Sequence, residues 1–266
     1  MIIERGKLAI TLQLTTQERQ RAIRDLIERE KRISVNAICE EFTISEATAR
    51  RDLEMLAKDG KIQRVRGGAI MIEESPPELP MLQRENEQTE EKDQIGHATA
   101  SLVKPGDTIL LGSGTTTLAV ARQLYHCKDL TVLTNSLPII NLLVGCPGIN
   151  LIVLGGVLRD TELSFIGHIT EKALSEVRAD KVILGARAIS LEHGITNDFM
   201  TETLTDRAII RIGQKVILVA DHTKFGTIST AFLASLEDID IVVTDRDIDP
   251  DYVQHLEEMG VEVILA

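Results

Sequence analysis

The 266-residue sequence is 43% hydrophobic and 26% charged, with 3% aromatic residues and a formal net charge of −12. That length allows two domains and a substantial core. No uninterrupted apolar run reaches the ~18 residues of a membrane span, and segment 1–19 lacks a signal-peptide layout because its apolar part is short and broken by charge. Cys39, Cys127 and Cys146, odd in number and without metal-ligand spacing, predict reduced thiols in a cytoplasmic protein with no metal centre and no cofactor.

The charge is unevenly placed. Residues 1–72 carry 14 Lys and Arg against 11 Asp and Glu, a balance of +3; residues 73–266 carry 15 against 30, a balance of −15. An acidic bulk with a mildly basic head predicts a protein that meets a polyanion through the head alone, with specific contacts and oligomerisation supplying affinity.

Residues 1–14 precede the first helix signal and are assigned no function. Thr15 and Glu18 have capping-box spacing, and Ile23, Leu26 and Ile27 form an apolar stripe on a helix ending near Lys31. A second helix over 35–41 buries Val35, Ile38 and Phe42, and the turn Thr43-Ile44-Ser45 leads to a third. Ser45 caps that helix, with Glu46 at the positive end of its dipole, and Gly60 follows Lys58 and Asp59 as a stop signal. Ala49, Leu53 and Leu56 share its buried face. The opposite face carries Ala47, Arg51 and Glu54, flanked by Thr48 and Arg50. Arginine can bridge guanine O6 and N7, and an Ala or Thr methyl can touch the thymine methyl. Two short strands, 61–65 and 69–72, joined through Arg66-Gly67-Gly68, form a wing whose Arg64 and Arg66 reach phosphates. The expected DNA-binding set is therefore Ser45, Ala47, Thr48, Arg50, Arg51, Arg64 and Arg66, and the expected partner is duplex DNA.

Singly, adjacent arginines are ordinary solvated charges; the order of buried helix, tight turn, capped basic helix, glycine stop and basic hairpin carries the reading. The run SEATARRDLEMLAKDGKIQRVRGGA resembles the helix-turn-helix signature of the DeoR family of bacterial transcription regulators, S-x-x-T-x-R-R-D-L, then L-x-x-x-G-x-I-x-R, then a G-G-A turn.

Residues 73–94 hold three prolines, many carboxylates and few apolar groups and read as a linker into a helix through Ile95, Ala98 and Leu102. Beyond Gly106, continuous apolar runs alternate with helical segments: 108–111, 130–134, 150–154, 181–185, 215–220, 239–244 and 261–265. Runs apolar on both faces are buried parallel strands. With helices near 116–124, 137–144, 166–177, 201–212 and 251–258 they predict an α/β, doubly wound, mostly parallel domain over 95–266, behind a winged helix-turn-helix domain over 1–72.

In such sheets ligands bind at the carboxyl ends of the strands. There Gly112-Ser113-Gly114-Thr115-Thr116-Thr117 opens a helix, offering backbone N–H groups and hydroxyls to an anion. It lacks the P-loop lysine and the third glycine of a dinucleotide fingerprint. Other strand ends add Asn135, Gly155, Gly156, Arg159, Arg187, Asp221 and Lys224. The candidate effector set is thus Ser113, Gly114, Thr115, Thr116, Thr117, Asn135, Gly155, Gly156, Arg159, Arg187, Asp221 and Lys224, with Lys224 and Arg159 as charge partners and Asp221 as acceptor for sugar hydroxyls.

The motifs GSGTTT, TNS, LGGVLR and VADHTKFG resemble those of the DeoR-family sensor domain, which resembles ribose-5-phosphate isomerase in fold and senses phosphorylated sugars. The resemblance implies a phosphorylated sugar effector. Two positions depart from it: the family usually reads Gly-x-Asp-Gly-Ile where this chain reads Gly185-Ala186-Arg187-Ala188-Ile189, and favours lysine where this chain aligns Asp206. The expected function is a transcriptional regulator, most simply a repressor of a carbohydrate-utilisation operon, binding paired half-sites as a homodimer or homotetramer. The rival is a sugar-phosphate isomerase with an appended DNA-binding head, using Asp198, Glu202 or Asp221 as base. No catalytic motif places those carboxylates, so no catalytic residue is assigned.

Overall fold

The computed structural model describes residues 14–266 except 59, 61, 66, 77 and 78, with backbone alone at 73 and 74. The chain falls into two compact units, Met1–Glu73 and Glu74–Ala266.

In the first unit Glu18 accepts from the Thr15 N–H at 2.9 Å while Thr15 Oγ1 accepts from the Glu18 N–H, the reciprocal cap expected, and α1 runs Thr16–Glu30. A short strand not anticipated from sequence follows, β1 (Arg32–Ser34). Ser34 caps α2 (Val35–Phe42) and Ser45 caps α3 (Glu46–Ala57), separated by Thr43 in the left-handed region. The wing strands are β2 (Ile62–Val65) and β3 (Gly68–Met71), antiparallel, with β1 added to the outer side of β3 in the order β1-β3-β2. Ile23, Ile27, Ile38, Ala49, Leu53, Leu56, Ile62 and Ala69 close one core beneath the three helices and the wing.

Residues 73–94, read as a linker, contain more structure than that. α4 (Met81–Arg84) and the first turns of α5 (Thr89–Ala100) lie within them, and Met81 is buried. Three prolines and a dense set of carboxylates masked one anchoring methionine and an amphipathic turn.

The seven apolar runs form one seven-stranded parallel sheet. Its strands are β4 (Thr108–Leu111), β5 (Leu130–Thr134), β6 (Ile149–Val153), β9 (Ala179–Gly185), β12 (Gly213–Val219), β14 (Ile241–Thr244) and β15 (Glu262–Leu265). The order across it is β15-β14-β12-β9-β4-β5-β6, so winding reverses between β4 and β9. Alternate residues feed opposite cores: Leu110, Val182, Leu184, Leu218 and Val242 pack with Ile209 and Leu256 on one face, while Ile109, Leu111, Ile183, Ile217 and Val243 pack with Ile95, Val120 and Leu124 on the other. The crossovers are α6 (Thr115–Leu124), α7 (Leu137–Leu143), α8 (His168–Ser175), α9 (Met200–Ile212) and α10 (Pro250–Glu258).

Short antiparallel pieces decorate the sheet. The hairpin β7 (Val157–Arg159) and β8 (Ser164–Ile166) occupies part of the range expected as helix 166–177 and delays α8 to His168. The strands β10 (Ala188–Ser190), β11 (Gly194–Asn197) and β13 (Ala231–Ala234) form a three-stranded sheet beyond the end of β9. These strands are three or four residues long, too short for an alternating pattern to stand out from loop chemistry.

Candidate functional site

On α3 the buried face holds Ala49, Leu53 and Leu56, and the outward stripe holds Ala47, Arg51 and Met55, the last 47% exposed. Ser45 and Ala47 are exposed and Thr48 half-buried; Ser45 Oγ caps the helix and lies 2.9 Å from Thr48 Oγ1. The two adjacent arginines differ. Arg50 donates to Glu46 on its own helix, with Nη2 at 2.5 Å. Arg51 is exposed and has no ion pair among the described residues. Arg64, on β2, lies 3.7 Å from Glu54 and so stands beside the helix stripe. Arg66 lies outside the described residues.

The helix is aimed by a residue the sequence reading passed over. Asp52, 1% exposed, sits on α3 between the arginines and the core. It accepts from Arg19 Nε at 2.6 Å, Arg19 Nη2 at 3.2 Å and Gln20 Nε2 at 3.0 Å, all from α1. A bidentate arginine–carboxylate pair fixes orientation as well as distance. It locks the rotation of α3 and with it the direction of Ala47, Arg51 and Met55.

In the second unit a cavity of about 290 Å³ opens at the switch point between β4 and β9, where crossovers to opposite faces leave a crevice. One wall is the start of α6. Gly114 takes φ +118, no side chain caps the helix, and Ser113, Gly114, Thr115 and Thr116 line the space. The first N–H groups of α6 are thus open to an anion. Facing them are Lys92, Lys224 and Arg84. Burial, reinforced by Lys224 and Arg84 and opposed by Asp221, holds the Lys92 ammonium below its ordinary range. Lys92 Nζ donates to the carbonyls of Arg84, at 2.7 Å, and Glu87. Arg84 pairs with Glu162.

The remaining wall is acidic: Asp198, Glu162, Glu202, Asp206 and Asp221. Arg187 binds Asp198 at 2.8 Å and donates to the Pro76 carbonyl. Asp221 takes the Thr223 N–H and hydroxyl on Oδ1, while its buried Oδ2 accepts no hydrogen bond and lies 3.9 Å from Lys224 Nζ.

Of the twelve effector positions expected, Ser113, Gly114, Thr115, Thr116, Arg187, Asp221 and Lys224 line the cavity. The other five do not. Thr117 turns its hydroxyl to the Gly114 carbonyl at 2.8 Å, and Asn135 donates to the Phe165 carbonyl at 3.0 Å, holding the hairpin β7–β8. The Gly155 carbonyl accepts from Thr170 Oγ1, and a side chain at Gly156 would lie 2.1 Å from that hydroxyl, so Gly156 serves chain packing. Arg159 stands one layer back, pairing with Glu202 and covering the Phe199 ring at 4.7 Å. Sequence reasoning missed Arg84, Glu87, Gln88 and Lys92, because their segment looked like a linker, and Glu162 and Asn197, which lie on the unanticipated antiparallel pieces or next to them.

The family described as "DeoR-like helix-turn-helix domain" matches residues 19–75, and that described as "DeoR C terminal sensor domain" matches residues 87–246. The chain belongs to the DeoR family. It is 35% identical over 232 residues to the transcriptional repressor AccR of Agrobacterium fabrum, covering 87% of this chain and 90% of that one. It is 34% identical over 228 residues to the glycerol-3-phosphate regulon repressor of Escherichia coli K12, covering 86% and 90%. A solved ribose 5-phosphate isomerase A from Methanocaldococcus jannaschii matches 50% of this chain and 53% of its own at 17% identity and a TM-score of 0.38, too distant to carry over any residue. This DeoR-family member is a DNA-binding transcriptional regulator. No described helix is long and apolar enough to cross a membrane.

Proposed function

We propose that this regulator is a cytoplasmic repressor of a carbohydrate-utilisation operon. It holds paired operator half-sites as a homodimer or homotetramer and is released by a phosphorylated sugar bound in the switch-point cavity. The observation that carries the reading is the convergence of Arg84, Lys92 and Lys224 on the uncapped N-terminus of α6. Buried like charges repel, and a dianionic phosphate relieves that repulsion while taking the open N–H groups. The unpartnered Oδ2 of Asp221, beside the cations, suits a sugar hydroxyl. That one relative is named for a glycerol-3-phosphate regulon fits an effector of this chemistry.

Release is linkage. An effector that binds better in the subunit arrangement that misplaces the recognition helices weakens operator binding by the same ratio. The cavity wall supplies a route. Pro76 accepts from Arg187, Leu79 from Arg84, and Arg84 and Glu87 from Lys92, so the segment that follows directly on the DNA-binding unit is held by cavity cations. A phosphate that draws those cations moves their backbone partners.

Selection from a random duplex pool with the full chain would define the operator. Anisotropy of that duplex should then show one phosphorylated sugar weakening binding by roughly 5–150-fold, with its unphosphorylated form inert. Equal effects of both forms, or a selection yielding no preferred sequence, would overturn the reading.

A further inference from the structure

Resting on that reading, we infer that the effector is a phosphorylated amino sugar, its primary amine read by Asp206 at the acidic end of the cavity.

The acidic wall is not balanced. Glu162, Glu202 and Asp206 are 5%, 6% and 6% exposed and share one side of the cavity. Arg84 serves Glu162; Arg159 and the Ser164 hydroxyl, at 2.9 Å, serve Glu202. Among the described residues Asp206 has only the Asn197 amide, which donates to Oδ2 at 3.0 Å, and its buried Oδ1 has no hydrogen-bond partner while the residue lines the cavity. A buried carboxylate oxygen without a donor is costly unless a ligand completes it. The whole lining repeats the imbalance: Glu87, Glu162, Asp198, Glu202, Asp206 and Asp221 face Arg84, Lys92, Arg187 and Lys224. A ligand bearing phosphate alone would leave Asp206 Oδ1 without a donor.

The two orphan carboxylate oxygens differ in their neighbours. Asp221 Oδ2 lies beside Lys224 and Lys92, where its charge is already compensated and a neutral hydroxyl suffices. Asp206 lies among carboxylates: burial first, then Glu202 and Glu162, push its carboxyl well above the usual range, against the Asn197 amide and Arg159. An ammonium there takes the place of the proton that the buried carboxyl otherwise holds, supplying donor and charge together. The ligand therefore spans the cavity with its phosphate at Thr115 and Thr116 and its amine at Asp206.

The test is titration of the full chain, by calorimetry, with glucose 6-phosphate and galactose 6-phosphate in their 2-hydroxy, 2-amino and 2-acetamido forms, and with the two free amino sugars. One 2-amino phosphate should bind about 10–100-fold tighter than its hydroxyl counterpart, and acetylation, which removes the cation, should abolish the advantage. Asp206→Asn keeps the size and the acceptor for Asn197 and should erase the difference between the amino and hydroxyl forms. Equal or tighter binding of the hydroxyl form would overturn the amine assignment and leave the phosphorylated-sugar reading intact. If a free amino sugar binds as tightly as its phosphate, that reading fails instead. No binding of any phosphorylated form overturns both.

Discussion

Arg84 and Glu162 form an ion pair across 78 residues of sequence, with side chains only 13% and 7% exposed, in the wall of the switch-point cavity. Arg84 belongs to the segment following the DNA-binding unit and Glu162 to the loop between β7 and β8, so the pair ties that segment to the cavity. Under the proposed function it also competes with the ligand, because a phosphate at α6 would share the guanidinium with the carboxylate. Glu162→Gln should raise affinity for the phosphorylated effector by roughly tenfold, about 1.4 kcal/mol, and Arg84→Met should lower it. Titration of both variants decides the point; changes in the same direction would show that the pair is only scaffolding.

The arginines of α3 should separate by role. Arg51→Ala should cost roughly 1–3 kcal/mol on the operator and relax selectivity at one base pair. Arg50, held by Glu46 on its own helix, should act through phosphate: Arg50→Ala weakens operator and random duplex alike and lowers the salt slope by about one. Anisotropy on both duplexes across a salt series measures each effect. A uniform loss for Arg51→Ala would make it a backbone contact.

Asp52→Ala leaves Arg19 and Gln20 without their acceptor beneath α3. Breaking such a nearly buried pair should cost the first unit about 2–3 kcal/mol. DNA binding should fall through loss of folded unit, seen as a lower first melting transition, whereas Arg51→Ala loses binding with no change in melting. Unchanged melting of Asp52→Ala would remove the orienting role assigned to this pair.

Asp206 sets a pH dependence. Its folded pKa is raised, chiefly by burial and then by Glu202 and Glu162, so the folded chain keeps a proton that the unfolded chain releases near ~3.9. The stability this proton confers is full below that value and is lost as pH rises towards the raised one. Asp206→Asn cannot ionise, so the difference in melting temperature between variant and parent should grow in the variant's favour as pH rises. A difference independent of pH would show that Asp206 is ionised in the folded protein.

Much of this was legible in the sequence, for identifiable reasons. The seven strands announced themselves because both faces are buried, and Ser45 and the Thr15–Glu18 box marked helix starts because caps are local chemistry. That Ser113 to Thr116 stand at the end of a sheet strand, where they line the cavity, followed from one glycine-rich turn. What stayed hidden is long-range. Arg84 reaches Glu162 and Arg19 reaches Asp52 through tertiary contacts that no spacing encodes. Arg159 sits one layer too deep because Glu202, on a helix 43 residues away, takes its guanidinium. The family resemblance marks Asp206 as a departure from the usual lysine, but its burial, its orphan oxygen and its place in the cavity wall are visible only in the fold.

On the proposed function, the cavity takes a phosphate at α6. This is tested most directly by the melting temperature of the full chain against paired phosphorylated and unphosphorylated sugars, with Lys92→Met beside the parent. A rise confined to a phosphorylated member and lost in Lys92→Met is predicted, since a ligand of the folded state must stabilise it. A rise of equal size with the unphosphorylated partner, or one that survives the loss of Lys92, would contradict the account.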